Sequence, residues 1–94
     1  MKKDIINKIE GEKIRLTKFG IKKLGVFGSF AKGKQNKKSD VDIIVKFERV
    51  DFDKYIQLKF LLEKLFKRKV DLVIEEDLRP ELNYVKKEAE YARL

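Results

Sequence analysis

Two aspartates, Asp40 and Asp42, flank Val41. On an extended strand, residues two apart point to the same face with α-carbons about 6.5 Å apart, so both carboxylates can converge on one hard cation. Mg²⁺ takes oxygen ligands, keeps several waters, and is usually held by one or two carboxylates together with substrate phosphates. The pair suits metal-assisted chemistry at a phosphate; taken alone it equally suits an exposed strand end with two solvated acids. Gly28-Ser29 is separated from Asp40 by ten residues and stands where a strand gives way to a helical turn. Free backbone N–H groups at such a place can hold phosphate oxygens, and the Ser29 hydroxyl adds a donor. A plain turn is the alternative, since Gly and Ser are common turn residues. A Walker loop is excluded because Gly33 is followed by Lys34-Gln35 instead of Lys-Ser/Thr.

A third acid, Asp71, lies in Val70-Asp71-Leu72-Val73, where a charge among apolar neighbours calls for a partner or a metal. Its bland role is a strand-edge acid. Should its strand lie beside that of Asp42 with the same facing, three acids gather, and like charges left unneutralised perturb one another's pKa values.

The elements that must position these residues follow from periodicity. A first helix is expected over 3–18, with Ile5, Ile6, Ile9 and Leu16 on one stripe and Gly11 as a weak point. Ile21 to Phe27 reads as a strand, Phe30 to Gly33 as a short helical turn, and Val41, Ile43, Val45 and Phe47 alternate as a second strand. Tyr55, Leu58, Leu62, Leu65 and Phe66 mark a helix over 52–68, and Val70 to Ile74 a third strand. A last helix is expected from about Leu78 to Arg93, with Asp77 as cap, Pro80 in the tolerated first turn, and Leu82, Val85, Ala89 and Ala92 as its stripe. The order is α-β-(turn)-β-α-β-α in one domain spanning 1–94.

The chain contains neither cysteine nor histidine, which removes disulfides, thiolate chemistry, Cys/His zinc sites and any imidazole base. Catalysis would have to use carboxylates, hydroxyls, Lys or Arg. The longest run without a charge, Leu24 to Ala31, is eight residues, far short of the roughly 20 that span a bilayer. No membrane association is expected, and Asp4, Asn7, Lys8 and Glu10 break any apolar segment behind Met1-Lys2-Lys3, so the expected location is cytoplasmic. Residues 1–38 hold 12 basic and 3 acidic side chains (+9), whereas 39–94 hold 12 and 13 (−1). The Lys32, Lys34, Lys37, Lys38 segment could attract a polyphosphate, an anionic lipid surface or nucleic acid, or be a solvated loop. Direct nucleic-acid binding is not favoured, for no reading motif accompanies the lysines.

Taken together, Gly28-Ser29-Phe30-Ala31-Lys32-Gly33, Ser39-Asp40-Val41-Asp42 and a later Asp71 resemble the signature of the DNA polymerase β-like nucleotidyltransferase superfamily, and the short length narrows this to the minimal nucleotidyltransferases. The resemblance is densest over 24–45, and its element order covers nearly the whole chain. It implies an α/β (α+β) fold in which a small mixed β-sheet is flanked by helices in the order α-β-β-α-β-α. It implies nucleotidyl transfer from ATP, with the β- and γ-phosphates on the Gly28-Ser29 turn. Asp40 and Asp42 would hold Mg²⁺, two ions in all, and Asp71 would help hold the second and activate the acceptor hydroxyl. Ser39 and Lys32 would add phosphate contacts; members often carry Arg at the latter position, and Lys supplies a point charge in place of a planar fork. The resemblance further implies a HEPN-domain ribonuclease toxin as partner, with AMP moved onto one of its tyrosines, the antitoxin activity of a type VII toxin–antitoxin pair. Tyr84, Tyr91 and Leu94 could offer an apolar docking surface, although core packing better accounts for most of that last helix. The competing readings are a non-catalytic antitoxin acting by binding alone, a nucleic-acid-binding module, and nucleotidyl transfer to a small molecule or an RNA end.

Overall fold

The computed structural model describes residues 2–33 and 40–94. Its elements are α1 (Lys2–Gly11), α2 (Lys13–Lys18), β1 (Ile21–Phe27), α3 (Gly28–Lys32), β2 (Val41–Phe47), α4 (Phe52–Phe66), β3 (Val70–Ile74), two short 3₁₀ turns (Glu75–Asp77 and Pro80–Leu82), α5 (Tyr84–Glu88) and β4 (Glu90–Tyr91). The four strands form one mixed sheet in the order β3-β2-β1-β4, with β1 antiparallel to β2 and β4 and β2 parallel to β3.

The sheet divides its residues by parity. Leu24 and Val26 of β1, Val41, Ile43, Val45 and Phe47 of β2, and Val70 and Leu72 of β3 join Ile5, Ile9, Leu16, Leu58, Leu62 and Phe66 of the helices in one apolar cluster. That face is the core, built as the alternating pattern dictates. The opposite face carries Asp42, Ile44 and Lys46. The bounds of β1, β2 and β3 agree with the sequence reading, although β1 departs from strict alternation and its register against β2 shifts between Ile21 and Lys23.

Two helical expectations are corrected. The first helix is split: α1 stops at Gly11 and α2 restarts after Glu12, whose backbone lies outside the helical region at φ −102°, ψ 18°. Gly11 has no side chain to stabilise a helix interior, and the break turns Leu16 into the core. The last helix is largely absent. In place of one helix over 78–93 the chain makes the Pro80 turn, the five-residue α5 and the strand β4. Of the expected stripe, Val85 and Ala92 are buried and Leu82 is exposed. The cause is the free edge of β1. Its carbonyls need donors, and Ala92 N–H supplies one to Leu24 O at 2.9 Å. At Gly25 the Tyr91 ring lies so close that a Cβ would fall 2.9 Å from its Cδ1.

Helix α4 fixes the other edge. Asp51 caps it, accepting from the Asp53 and Lys54 N–H groups, and Lys67 ends it in the left-handed conformation at φ 56°. The Tyr55 hydroxyl donates to Leu72 O at 2.6 Å, and Glu63 Oε2 accepts from Val70 N–H at 3.1 Å. Two outward backbone groups of β3 are thereby satisfied by side chains of α4, and Asp71 stands between them. No helix among the described residues is long and apolar enough to cross a membrane.

Candidate active site

Asp42 lies beside Asp71 in the parallel β2–β3 register and beside Phe27 in the antiparallel β1–β2 register. Residues paired across a sheet point to the same face, so Asp42 and Asp71 stand on neighbouring strands about 5 Å apart and face the same way. Asp40 immediately precedes β2 with the parity of Asp42. Gly28 follows β1 at the same end of the sheet. Its φ of +71° is the left-handed conformation that glycine tolerates, and a Cβ there would run into the Asp42 carboxylate, 2.9 Å from Cγ. The turn and the central acid are in direct contact only because this residue is glycine.

Asp42 is half-buried, while Asp40 and Asp71 are exposed. Its carboxyl titrates above the ordinary aspartate range, first because burial penalises the charged form, then because Asp71 and Asp40 add negative potential. Both other acids expected from the sequence thus act on Asp42. The three are nevertheless spread along the end of the sheet, and no three acidic side chains among the described residues are gathered closely enough to enclose an ion by themselves. An oxygen-only donor set in which Asp71 and Asp40 add negative potential at Asp42 fits a hard divalent cation whose remaining ligands come from phosphates and water. The residues therefore fit the shared-metal arrangement and do not fit an all-protein cage.

The other expected site residues are placed differently. Ser29 enters α3 directly after Gly28. Lys32 ends α3 with its ammonium 3.6 Å from Glu88 Oε2, directed towards α5 and the C-terminal segment. Ser39, with Lys34, Lys37 and Lys38, lies outside the described residues. Tyr84 is exposed, and Tyr91 is half-buried on the acid-bearing face over Gly25, with Lys23 Nζ 5.8 Å from its ring centroid. Burial and then Glu75 raise the Tyr91 phenol. Tyr91 therefore covers part of the sheet and is not free for docking. Tyr55, read from the sequence only as part of a helical stripe, borders the site: burial and then Asp71 raise its phenol. Its position four residues after the Asp51 cap was the available signal, but only the folded α4–β3 contact brings it to Asp71.

The family model for the nucleotidyltransferase domain matches residues 8–94. A provisionally named protein adenylyltransferase of Methanocaldococcus jannaschii is 40% identical over 89 residues, covering 94% of this chain and 87% of that protein. The protein adenylyltransferase MntA of Thermococcus cleftensis is 43% identical over 63 residues, covering 66% and 64%. Among solved structures, a provisionally identified minimal nucleotidyltransferase superposes with a TM-score of 0.80 at 31% identity, covering 96% and 95% of the two chains. The MNT antitoxin complex with a tri-AMPylated HEPN toxin of Shewanella oneidensis gives 0.66 at 22% identity, covering 97% and 71%, and speaks to the fold alone.

Proposed function

The chain belongs to the nucleotidyltransferase domain family, and from that premise we propose that it moves AMP from ATP onto a protein hydroxyl, a tyrosine of a HEPN ribonuclease toxin, and so acts as the antitoxin of a type VII pair. The observation that carries this reading is the contact of the Gly28 turn with Asp42, in register with Asp71 on the same face. The names of the relatives support protein as the acceptor, and the HEPN complex of a structural neighbour supports the partner.

Each residue has a role in this scheme. The Gly28-Ser29 turn presents backbone N–H groups to the β- and γ-phosphates. Asp40 and Asp42 would hold Mg²⁺ and Asp71 would share a second ion; bound there, the metals would supply positive charge to offset that developing on the reacting oxygens. The acceptor oxygen bonds to the α-phosphorus as the bond to pyrophosphate breaks, and Asp71 takes the hydroxyl proton. Ser39 and Lys32 add phosphate contacts, for which the Lys32 ammonium must leave Glu88. On this proposal the reaction takes place in the cytoplasm, in a single domain over residues 1–94.

The test is incubation with labelled ATP, Mg²⁺ and the HEPN protein. Label is expected on a tyrosine of that protein, with Asp42→Asn lowering transfer about a thousandfold or more. Tight binding of the HEPN protein without label from any nucleotide would replace this reading with antitoxin action by binding alone.

A further inference from the structure

A groove of about 460 Å³ runs along the outer edge of β3, lined by Val50, Phe52, Tyr55, Leu72, Val73, Ile74 and Asp77. It starts one residue beyond Asp71. Two of its walls are unusual for a small protein: Phe52 and Val50 are 73% and 57% exposed, and the Phe52 ring stacks on Tyr55 with centroids 6.4 Å apart. Large apolar side chains grouped at the surface mark binding sites more often than scattered ones do.

Its place in the sheet gives it a direction. The Gly28 turn lies at the end of β1, Asp42 on the next strand, Asp71 on the one after, and the groove beyond that. In an in-line displacement the nucleophile enters opposite the leaving group. With pyrophosphate leaving over the β1 turn, the acceptor must come from the β3 side, where the groove lies.

Its charge is distinctive too. The chain carries +8 overall, yet the charged residue among those lining the groove is an acid. Asp77 lines the groove itself. An apolar slot with an acid in its wall complements an aromatic side chain next to a lysine or arginine.

We propose that this groove docks the acceptor protein through a segment bearing an aromatic hydroxyl flanked by basic residues, with Phe52 and Asp77 setting specificity. The proposal rests on the adenylyl-transfer reading above. Phe52→Glu and Asp77→Lys are the variants of choice. Both positions are exposed, and a glutamate in the first turn of α4 agrees with the helix dipole, so folding should survive. Phe60→Glu is the control, on the same helix, 63% exposed and outside the groove.

Two readouts with purified HEPN protein decide the matter: kcat and KM for AMP transfer, and calorimetric affinity for that protein without ATP. Both groove variants should raise the acceptor KM and weaken affinity about tenfold or more, leaving ATP affinity within about twofold and Phe60→Glu like wild type. Wild-type KM and affinity in both groove variants would overturn the proposal. So would an equal loss in Phe60→Glu, label appearing on RNA, or a wild-type chain that neither binds nor modifies the HEPN protein. If the wild type binds without transferring AMP and the groove variants still lose affinity, the docking surface stands and the transfer reading fails.

Discussion

Strand β2 has two faces that differ in almost every respect. Val41, Ile43, Val45 and Phe47 are buried in the apolar cluster with the helices. On the other side Asp42 and Lys46 are only half-covered, with Ile44 buried between them. The first face fixes the register, because a slip of one residue would expose four large apolar side chains. The second face inherits that register and gains the Asp42–Asp71 pairing from it. Stability therefore resides mainly on one side of the strand and the proposed chemistry on the other, so substitutions one residue apart should separate the two.

The largest expected effect sets Asp42→Asn against Ile43→Ala. Asp42→Asn, expected to cut transfer about a thousandfold, should leave the denaturant midpoint unchanged or slightly raised, since it removes a carboxylate disfavoured by burial and by Asp71 and Asp40. Ile43→Ala should lower unfolding free energy by about 2–5 kcal/mol while the molecules that remain folded keep transfer activity. Urea titrations paired with AMP incorporation check both; a large stability loss in Asp42→Asn would break the division.

A smaller effect is expected at two glycines with nearly equal φ, +71° at Gly28 and +70° at Gly33. Alanine at either meets the left-handed penalty of about 1–2 kcal/mol. At Gly28 the added carbon also displaces the Asp42 carboxylate, whereas at Gly33 nothing among the described residues lies within 4 Å. Gly28→Ala should therefore lose transfer at least about tenfold beyond its stability loss, and Gly33→Ala should lose stability alone. Equal transfer in the two variants would show that the turn does not position the acid.

The smallest effect concerns pH. The folded-state pKa of Asp42 lies above its ordinary 3.8, so the native chain holds this proton more firmly than the unfolded chain does. Stability from this group is then present at low pH and lost as pH rises from the ordinary value through the raised one. Because the group is largely solvent-screened, the loss should be about 0.5 kcal/mol or less. Thermal melts in that window should show the decline in wild type and a weaker one in Asp42→Asn. At neutral pH, Mg²⁺ should raise the wild-type melting temperature more than that of the variant.

Much of the site was legible before folding. Asp40, Val41 and Asp42 declare a same-face pair through the period of a strand, and the runs Ile21 to Phe27 and Val70 to Ile74 carry their own boundaries. The C-terminal segment was not legible. Glu88, Ala89, Ala92 and Arg93 are good helix formers, yet β4 forms among them because the edge of β1, more than sixty residues upstream, needed hydrogen-bond donors and because Gly25 left room for Tyr91.

By itself, then, the sequence determined the strands β1, β2 and β3, the helix α4, the parity of the acids and the absence of thiol and imidazole chemistry, all of which follow from side-chain type and local period. The folded molecule alone decided that Asp71 stands beside Asp42, that Gly28 touches that carboxylate, and that an apolar groove with Asp77 in its wall opens past β3. Those are contacts between segments distant along the chain, and no local period encodes which strand another will join.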